Sequence, residues 1–329
     1  MSAESAVYLR RYLSPLAILL DRADVTDIFV NKPGEAWIET ISGKIERHAA
    51  PHLDETSLWR LARQIASLSN QGVNREHPLL SATLPDGARV QVIAPPATRG
   101  HLAIAVRKHV VADLNLEDYE RSSAFADTRT DGRSDVEALN AELRALLDAG
   151  RTAEFLRQAV RSRKNIIVAG GTSTGKTTFL NALLKEIPRE ERLILIEDAA
   201  EVQLDHPNAL GLIATRGDNG EARVTAEDLV QASLRMRPDR IILGELRGRE
   251  AADFLRAINT GHPGSITTLH ADSPRGAVDQ LSLLVLQAGL NLGRAEIADY
   301  VRSVVDVFVQ LSRRDGRRTI SEIAFQPVA

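Results

Sequence analysis

The chain has 329 residues, of which 43% are hydrophobic and 26% are charged, with a formal net charge of −3. This composition is typical of a globular protein that buries real cores, and the usual domain size of about 150 residues predicts two domains. The small net charge excludes a global attraction to nucleic acid or anionic membrane, and the absence of cysteine excludes disulfides and thiolate metal sites.

The N-terminus lacks the basic stretch, long apolar run and small-residue cleavage site of a signal peptide. Its most apolar stretch, residues 13–20, is interrupted by Ser14 and Pro15 and is too short to cross a bilayer. We therefore expect a soluble protein in a reducing, cytoplasmic compartment, with peripheral membrane association at most.

Short strand-like runs separated by proline- and glycine-containing turns dominate residues 25–107. A helix is predicted over residues 54–69, because Leu58, Leu61, Ile65 and Leu68 form one apolar stripe. This pattern predicts a small α+β N-terminal domain over residues 1–112. The predicted strands cover residues 27–30, 36–39, 88–93 and 102–106.

A polar segment rich in Asp, Arg and Ser follows, and we predict a linker over residues 113–150. The linker includes a helix over residues 136–147 that ends at Gly150. A second helix is predicted from Thr152 to about residue 161, with Thr152 as its N-cap.

From residue 165 onward, continuous apolar runs alternate with helical segments. Uninterrupted apolar strands of this kind are typical of a parallel sheet that is covered on both faces. We therefore predict an α/β fold in which residues 151–329 form a P-loop NTPase domain with a mainly parallel sheet. The predicted strands cover residues 166–168, 193–196, 240–243 and 265–269.

The segment that carries the chemistry reads Gly-Gly-Thr-Ser-Thr-Gly-Lys-Thr over residues 170–177, between a predicted strand and a predicted helix. Glycines allow backbone N–H groups to turn toward a pyrophosphate, the lysine reaches the β and γ phosphates, and the last threonine ligates Mg2+. A chance glycine-rich turn is the alternative, but the flanking strand and helix favour a phosphate-binding loop. The predicted ATP-binding residues are Gly170, Gly171, Thr172, Ser173, Thr174, Gly175, Lys176, Thr177 and Thr178.

Carboxylates follow two of the apolar strands. Glu245 ends one strand, where it can orient or deprotonate the attacking water, although a solvated loop glutamate is the alternative. Glu197, Asp198 and Glu201 end another strand and suit Mg2+ or its bound waters, with Thr177 as a further ligand. One or two of these three carboxylates could instead cap a helix or bind a neighbouring arginine.

Two further side chains are candidates for catalysis. His270 closes a strand and could sense the phosphate or hold Glu245, although a histidine at a strand end is more often structural. Arg107 closes the last strand of the N-terminal domain and could neutralise the transferring phosphate across a cleft. Arg235 and Arg237 compete for the same role, and the chain has 41 basic residues in all.

Four segments in this order resemble the secretion ATPases of the RecA-like class. They are the phosphate loop, the acidic box over residues 196–201, the Leu-Arg-Met-Arg-Pro-Asp-Arg stretch leading to Glu245, and the Gly-His-Pro-Gly-Ser to Thr-Leu-His-Ala box. The chain is most similar to type IV secretion and conjugal transfer traffic ATPases. Their first domain carries an Asn-x-Pro-Gly-Glu turn, matched by residues 31–35, and a Leu-Pro-x-Gly-x-Arg-x-Gln segment, matched by residues 84–91.

The resemblance implies an ATP-hydrolysing homo-hexamer with a RecA-like C-terminal domain and each nucleotide between the two domains of one subunit. It implies that Arg107 reaches the γ-phosphate, and that Glu201, Glu245 and His270 are the family's acidic-box, second-strand and histidine-box residues. Such motors act at the cytoplasmic face of the bacterial inner membrane with other secretion-system subunits. They power pilus biogenesis and the transfer of DNA or protein substrates.

One departure from the family lies in the middle of the loop, where Thr172-Ser173-Thr174 replaces Thr-Gly-Ser. We expect nucleotide binding to survive this change, and the turnover rate stays open. The rival functions are a type IV pilus or type II secretion ATPase, a DNA-translocating RecA-like ATPase and a nucleotide-gated scaffold. The absent cysteines exclude the common zinc-bearing form of the first rival, and aromatic residues at 4% offer few stacking platforms. Direct binding of nucleic acid is left open.

Overall fold

The computed structural model describes residues 3–109, 115–121, 123–126, 128, 134–215 and 220–326. Its helices are α1 (Ala3–Leu20), α2 (Glu55–Leu68), α3 (Leu116–Arg121), α4 (Ser134–Asp148), α5 (Thr152–Arg161), α6 (Lys176–Leu184), α7 (Ala226–Ser233), α8 (Glu250–Asn259), α9 (Pro274–Gln287) and α10 (Arg294–Val304). Its strands are β1 (Val25–Val30), β2 (Gly34–Thr40), β3 (Ile45–Ala50), β4 (Leu79–Thr83), β5 (Arg89–Ile93), β6 (Ala103–Arg107), β7 (Ile166–Gly170), β8 (Leu193–Glu197), β9 (Ala209–Ile213), β10 (Arg240–Leu246), β11 (Ile266–Leu269), β12 (Val307–Arg314) and β13 (Arg317–Phe325).

The N-terminal region, residues 3–109, holds an antiparallel sheet in the order β3-β2-β1-β6-β5-β4. Helix α2 begins after Asp54, whose side chain accepts a hydrogen bond from the Ser57 backbone N–H at 2.7 Å. Its stripe residues Leu58, Leu61 and Ile65 are buried in one core with residues of α1 and of the sheet. The predicted helix is therefore present, whereas β3 and β4 were not predicted.

Helix α1 runs through Pro15, which lies inside the helix and not in its first turn. Proline has no N–H to donate to the carbonyl four residues earlier, which here belongs to Arg11. The Ser14 hydroxyl donates to that carbonyl at 2.7 Å instead, so the neighbouring residue supplies the missing hydrogen bond. Within the described residues, no helix is long and apolar enough to cross a membrane.

The C-terminal region, residues 134–326, holds a mixed sheet in the order β13-β12-β7-β11-β10-β8-β9. All neighbours in it are parallel except the β12–β13 hairpin. The predicted α/β fold, with an N-terminal sheet and a mainly parallel C-terminal sheet, is confirmed. The hairpin and β9 were not predicted.

The start of α5 differs from the prediction. Thr152 is the first helical residue, and the N-cap is Arg151, which makes no side-chain capping hydrogen bond. The chain reverses at Gly150, whose φ of +70° is left-handed, so Arg151 already occupies the cap position. The prediction of Thr152 as the N-cap is wrong for this reason.

A shared core joins the two regions. The ring of Phe29 in β1 lies under the fully buried guanidinium of Arg192, 4.1 Å from the ring centroid. Arg192 also donates to the side-chain oxygens of Asn31 at 2.9 Å and Asn208 at 2.6 Å. Burial lowers the pKa of Arg192 to about 9, which leaves it charged at neutral pH.

The predicted boundaries at residues 112 and 150 stay predictions. Residues 110–114 lie outside the described residues, as does much of the polar stretch over residues 122–135.

Candidate functional site

The phosphate loop joins β7 to α6 at the carboxyl edge of the parallel sheet. Leu269 of β11 lies opposite Ala169 of β7, so the ends of these two strands meet at that edge. Gly175, the N-cap of α6, has a φ of +93° and therefore needs a residue without a Cβ. A cleft of about 550 Å³ opens above the loop. Its lining includes Gly171, Thr172, Ser173, Thr174, Gly175, Lys176, Thr177 and Thr178.

Lys176 is held inside the loop. Its Nζ donates to the backbone oxygen of Gly170 at 3.0 Å and to that of Gly171 at 3.3 Å. Nζ also lies 3.6 Å from Oε1 of Glu245. Burial lowers the pKa of Lys176, and the Glu245 carboxylate opposes that shift.

Glu245 is the centre of the charged groups in the cleft. Its Oε1 lies 2.8 Å from Nε2 of His270, and its Oε2 is ion-paired with Arg247. The side chain of Glu245 is only 13% exposed, so its contacts with His270 and Arg247 lie in a partly desolvated setting. The structure therefore brings together the predicted residues Lys176, Glu245 and His270.

The acidic box divides between two environments. Glu197 is buried, is ion-paired with Arg99, and accepts from the backbone N–H groups of Val202 at 2.8 Å and Glu201 at 3.1 Å. Asp198 lines the cleft with its Oδ2 3.7 Å from Arg247, and the exposed Glu201 lines it as well. All three carboxylates line the cleft, but Glu197 is the one that is buried and held by Arg99 and two backbone N–H groups.

Within the described residues, no group of three His, Cys, Asp or Glu side chains is arranged to hold a metal ion. Mg2+ in phosphate-loop proteins needs no such cage, because phosphate oxygens and waters complete its shell. The Thr177 hydroxyl and the Asp198 carboxylate, which both line the cleft, fit that mode of binding.

Arg107 lies away from the phosphate loop. Its Nε donates to Oδ1 of Asp27 at 2.8 Å, its side chain is 52% exposed, and it lines a second cleft with Arg89 and Arg235. Arg235 precedes β10, whereas Glu245 lies near the far end of that strand. At a rise of about 3.3 Å per residue, roughly 17 Å separates Glu245 from Arg240, the first residue of the strand.

Among the described residues, all those lining the cleft above the loop belong to the C-terminal region. The expectation that the nucleotide lies between the two regions of one chain stays a prediction.

Three arginines that contact the acidic box, Glu245 or the loop were not predicted. Arg247 lies two residues after Glu245 in the sequence, so its place beside the carboxylate could have been predicted from the sequence. Arg99 and Arg318, which contacts the loop from β13, stand in no recognisable motif. Their positions depend on how distant parts of the chain pack.

Comparison with known proteins places these features in a family. A family model described as "Type II/IV secretion system protein" matches residues 11–321. VirB11 of Brucella suis biovar 1 (strain 1330) is 39% identical over 335 residues, and the alignment covers 99% of this chain and 92% of the Brucella protein. PtlH of Bordetella pertussis (strain Tohama I) is 38% identical over 328 residues, and the alignment covers 96% of this chain and 94% of the Bordetella protein.

The crystal structure of the Brucella suis VirB11 ATPase in complex with sulphate superposes with a TM-score of 0.92 at 38% identity, covering 98% of this chain and 95% of that one. These matches confirm the resemblance to type IV secretion ATPases. The chain therefore belongs to the type II/IV secretion system protein family, as a VirB11-type ATPase of a type IV secretion system.

Proposed function

We propose that the cleft above the phosphate loop binds ATP and that Glu245 activates the attacking water. The observation that carries this proposal is the convergence of Lys176, Glu245 and His270 beside the loop, with 3.6 Å between Nζ of Lys176 and Oε1 of Glu245 and 2.8 Å between that oxygen and Nε2 of His270. A lysine for the phosphates and a carboxylate for the water are the two groups that hydrolysis requires.

The Lys176–Glu245 contact also explains how binding prepares hydrolysis. The β and γ phosphates compete with Glu245 for the Lys176 ammonium, because they carry more negative charge. Loss of that contact frees Oε1 of Glu245 to accept a hydrogen bond from the attacking water. His270 holds the carboxylate in place, and Glu201 faces the same cleft.

We propose further that Mg2+ is held by the Thr177 hydroxyl and, directly or through water, by Asp198. Glu197 was predicted as a ligand, but its carboxylate already serves Arg99 and two backbone N–H groups. We assign it to holding the acidic box in shape.

Steady-state hydrolysis and equilibrium ATP binding test these roles. Glu245→Gln should keep ATP affinity within a few fold and lose about 10²-fold or more in turnover, since it removes a base but no phosphate contact. Lys176→Ala should lose both binding and turnover. Asp198→Asn should raise the Mg2+ concentration needed for half-maximal hydrolysis more than Glu197→Gln does.

The matched control is Glu322→Gln, an exposed glutamate of β13 outside the cleft, which should behave as wild type. Wild-type turnover in Glu245→Gln would contradict the base assignment.

The active assembly that we propose is a homo-hexameric ring at the cytoplasmic face of the inner membrane, working with other secretion-system subunits. Arg107 lies on a separate cleft within its own chain, so we propose that it reaches the nucleotide of a neighbouring subunit. In this view ATP hydrolysis moves protein parts for pilus biogenesis and for transfer of DNA or protein. Stimulation of turnover by single-stranded DNA would instead favour a DNA translocase.

A further inference from the structure

The tip of the β12–β13 hairpin stands beside the phosphate loop. Leu311 of β12 lies opposite Gly170, the last residue of β7, so the residues that follow Leu311 extend past the end of that strand. Arg318 returns along β13 in this extension and lines the cleft.

Arg318 contacts the loop where the loop has no side chain. A Cβ placed on Gly175 would lie 3.1 Å from Cδ of Arg318, 3.6 Å from its Nε and 3.7 Å from its Nη1. Gly175 therefore gives Arg318 room to lie across the start of α6, where the loop N–H groups turn toward the phosphates.

Arg318 differs from the other cations of the cleft in its ion pairing. Lys176 and Arg247 are both committed to Glu245. Arg318 makes no ion pair with any described residue, and it stands opposite Arg313 across the hairpin. Like charges in directly opposed positions repel, so an anion bound beside Arg318 relieves an unfavourable contact.

The sheet order assigns Arg318 to one wall of the cleft. Strand β7 lies between β12 on one side and β11 on the other. Glu245 and His270 come from the β10 and β11 side, where the γ-phosphate is cleaved under the proposed function. Arg318 comes from the opposite side, beside the loop backbone that cradles the α and β phosphates.

We propose that Arg318 is a nucleotide-binding residue that contacts the diphosphate portion shared by ATP and ADP. It holds the nucleotide before and after hydrolysis and takes no part in cleaving the γ-phosphate. This inference rests on the proposed nucleotide site.

The test measures the affinities of ATP and ADP by displacement of a fluorescent ADP derivative from the full-length protein. Arg318→Ala should weaken both nucleotides by about tenfold, the usual weight of one charge-assisted hydrogen bond. Turnover at saturating ATP should stay within about twofold, because ground and transition states lose the same contact.

Arg317→Ala is the matched control, since it removes the same charge from the neighbouring position, whose side chain points to the other face of the hairpin. It should leave both affinities within about twofold of wild type. A change in Arg318→Ala no larger than in Arg317→Ala would overturn the proposal, as would a loss of turnover with unchanged ADP affinity.

Lys176→Ala separates this inference from the site on which it rests. If Lys176→Ala weakens binding and Arg318→Ala does not, the site stands and the role of Arg318 is wrong. If Lys176→Ala leaves nucleotide binding unchanged, the proposed location of the nucleotide site is wrong, and so is the proposed role of Arg318.

Discussion

Ser173 occupies a backbone conformation that favours glycine. Its φ is +62°, in the left-handed region that favours glycine. A side chain in this conformation costs on the order of 1 kcal/mol, because its Cβ approaches the following carbonyl oxygen. The loop keeps its shape here with help from Thr174, whose hydroxyl donates to the Gly171 oxygen at 2.9 Å.

Relief of the left-handed strain in Ser173→Gly should raise the free energy of unfolding of the nucleotide-free protein by about 0.5–1 kcal/mol. The greater flexibility of glycine in the unfolded chain reduces this gain. Ser173→Ala keeps the Cβ, so it should give no gain. Equilibrium urea unfolding of the three proteins measures the difference. Equal gains in both variants would show that the hydroxyl, and not the left-handed backbone, is unfavourable.

At the scale of the elements, a buried ion pair ties β8 to β10 at their amino ends. Arg240 donates from Nε and Nη2 to the two carboxylate oxygens of Glu191, at 2.6 and 2.8 Å, and its side chain is fully buried. Burial alone would raise the pKa of Glu191, but the bonds from Arg240 and the nearby Arg163 hold it below the ordinary value. This pair anchors the base of the two strands that carry the acidic box and Glu245.

Glu191→Gln should cost about 3–5 kcal/mol in the free energy of unfolding, because it leaves the Arg240 guanidinium buried without a countercharge. Arg163→Ala is the control. Its side chain is 44% exposed and lies 3.5 Å from Glu191, so its loss should cost less than about 1 kcal/mol.

Urea unfolding at several pH values checks both expectations. Because the folded pKa of Glu191 lies below its unfolded value, its contribution is present at neutral pH and is lost as the pH falls below the ordinary value of 4.5. The difference in free energy of unfolding between wild type and Glu191→Gln should become smaller at these low pH values. A difference that stays constant with pH would argue against the ion pair as its cause.

The sequence predicts most of the strands that bury continuous apolar runs, but it misses β9 and β12, which are also largely buried. Strands β7, β8, β10 and β11 are buried throughout or nearly so, and each was predicted. Strand β13 begins with six exposed residues, so an edge strand of this kind leaves no apolar signal. The partners Lys176, Glu245 and His270 follow from strand ends, whereas Arg318 depends on the register between β12 and β7.

At the scale of the whole molecule, the position of Arg107 supports the proposal that neighbouring subunits share a site. Arg107 stands near the amino ends of the strands and the phosphate loop at their carboxyl ends. No local pattern in the sequence carries this information, because it depends on how the two regions pack.

Co-expression of Arg107→Ala with Lys176→Ala tests whether the arginine acts between subunits. Each variant alone should be nearly inactive. In randomly mixed rings, about a quarter of the sites should combine an intact loop with an intact neighbouring arginine, and hydrolysis should recover in that proportion. Rings that stay inactive would place Arg107 and Lys176 of one chain at one site, and normal turnover by Arg107→Ala alone would exclude the arginine from hydrolysis.

The N-terminal region also extends the edge of the C-terminal sheet. The Arg99 N–H donates to the Gly211 oxygen at 3.0 Å, and the Ile213 N–H donates to the Ala97 oxygen at 2.9 Å. If these two amide protons exchange with solvent only when the regions separate, both should give the same free energy of opening once each rate is divided by the intrinsic exchange rate of its amide. Two different opening free energies, measured by NMR or mass spectrometry, would mean that the edge of the sheet opens locally while the regions stay joined. Hydrogen exchange of these two amides would thus report whether the two regions separate when nucleotide binds or leaves.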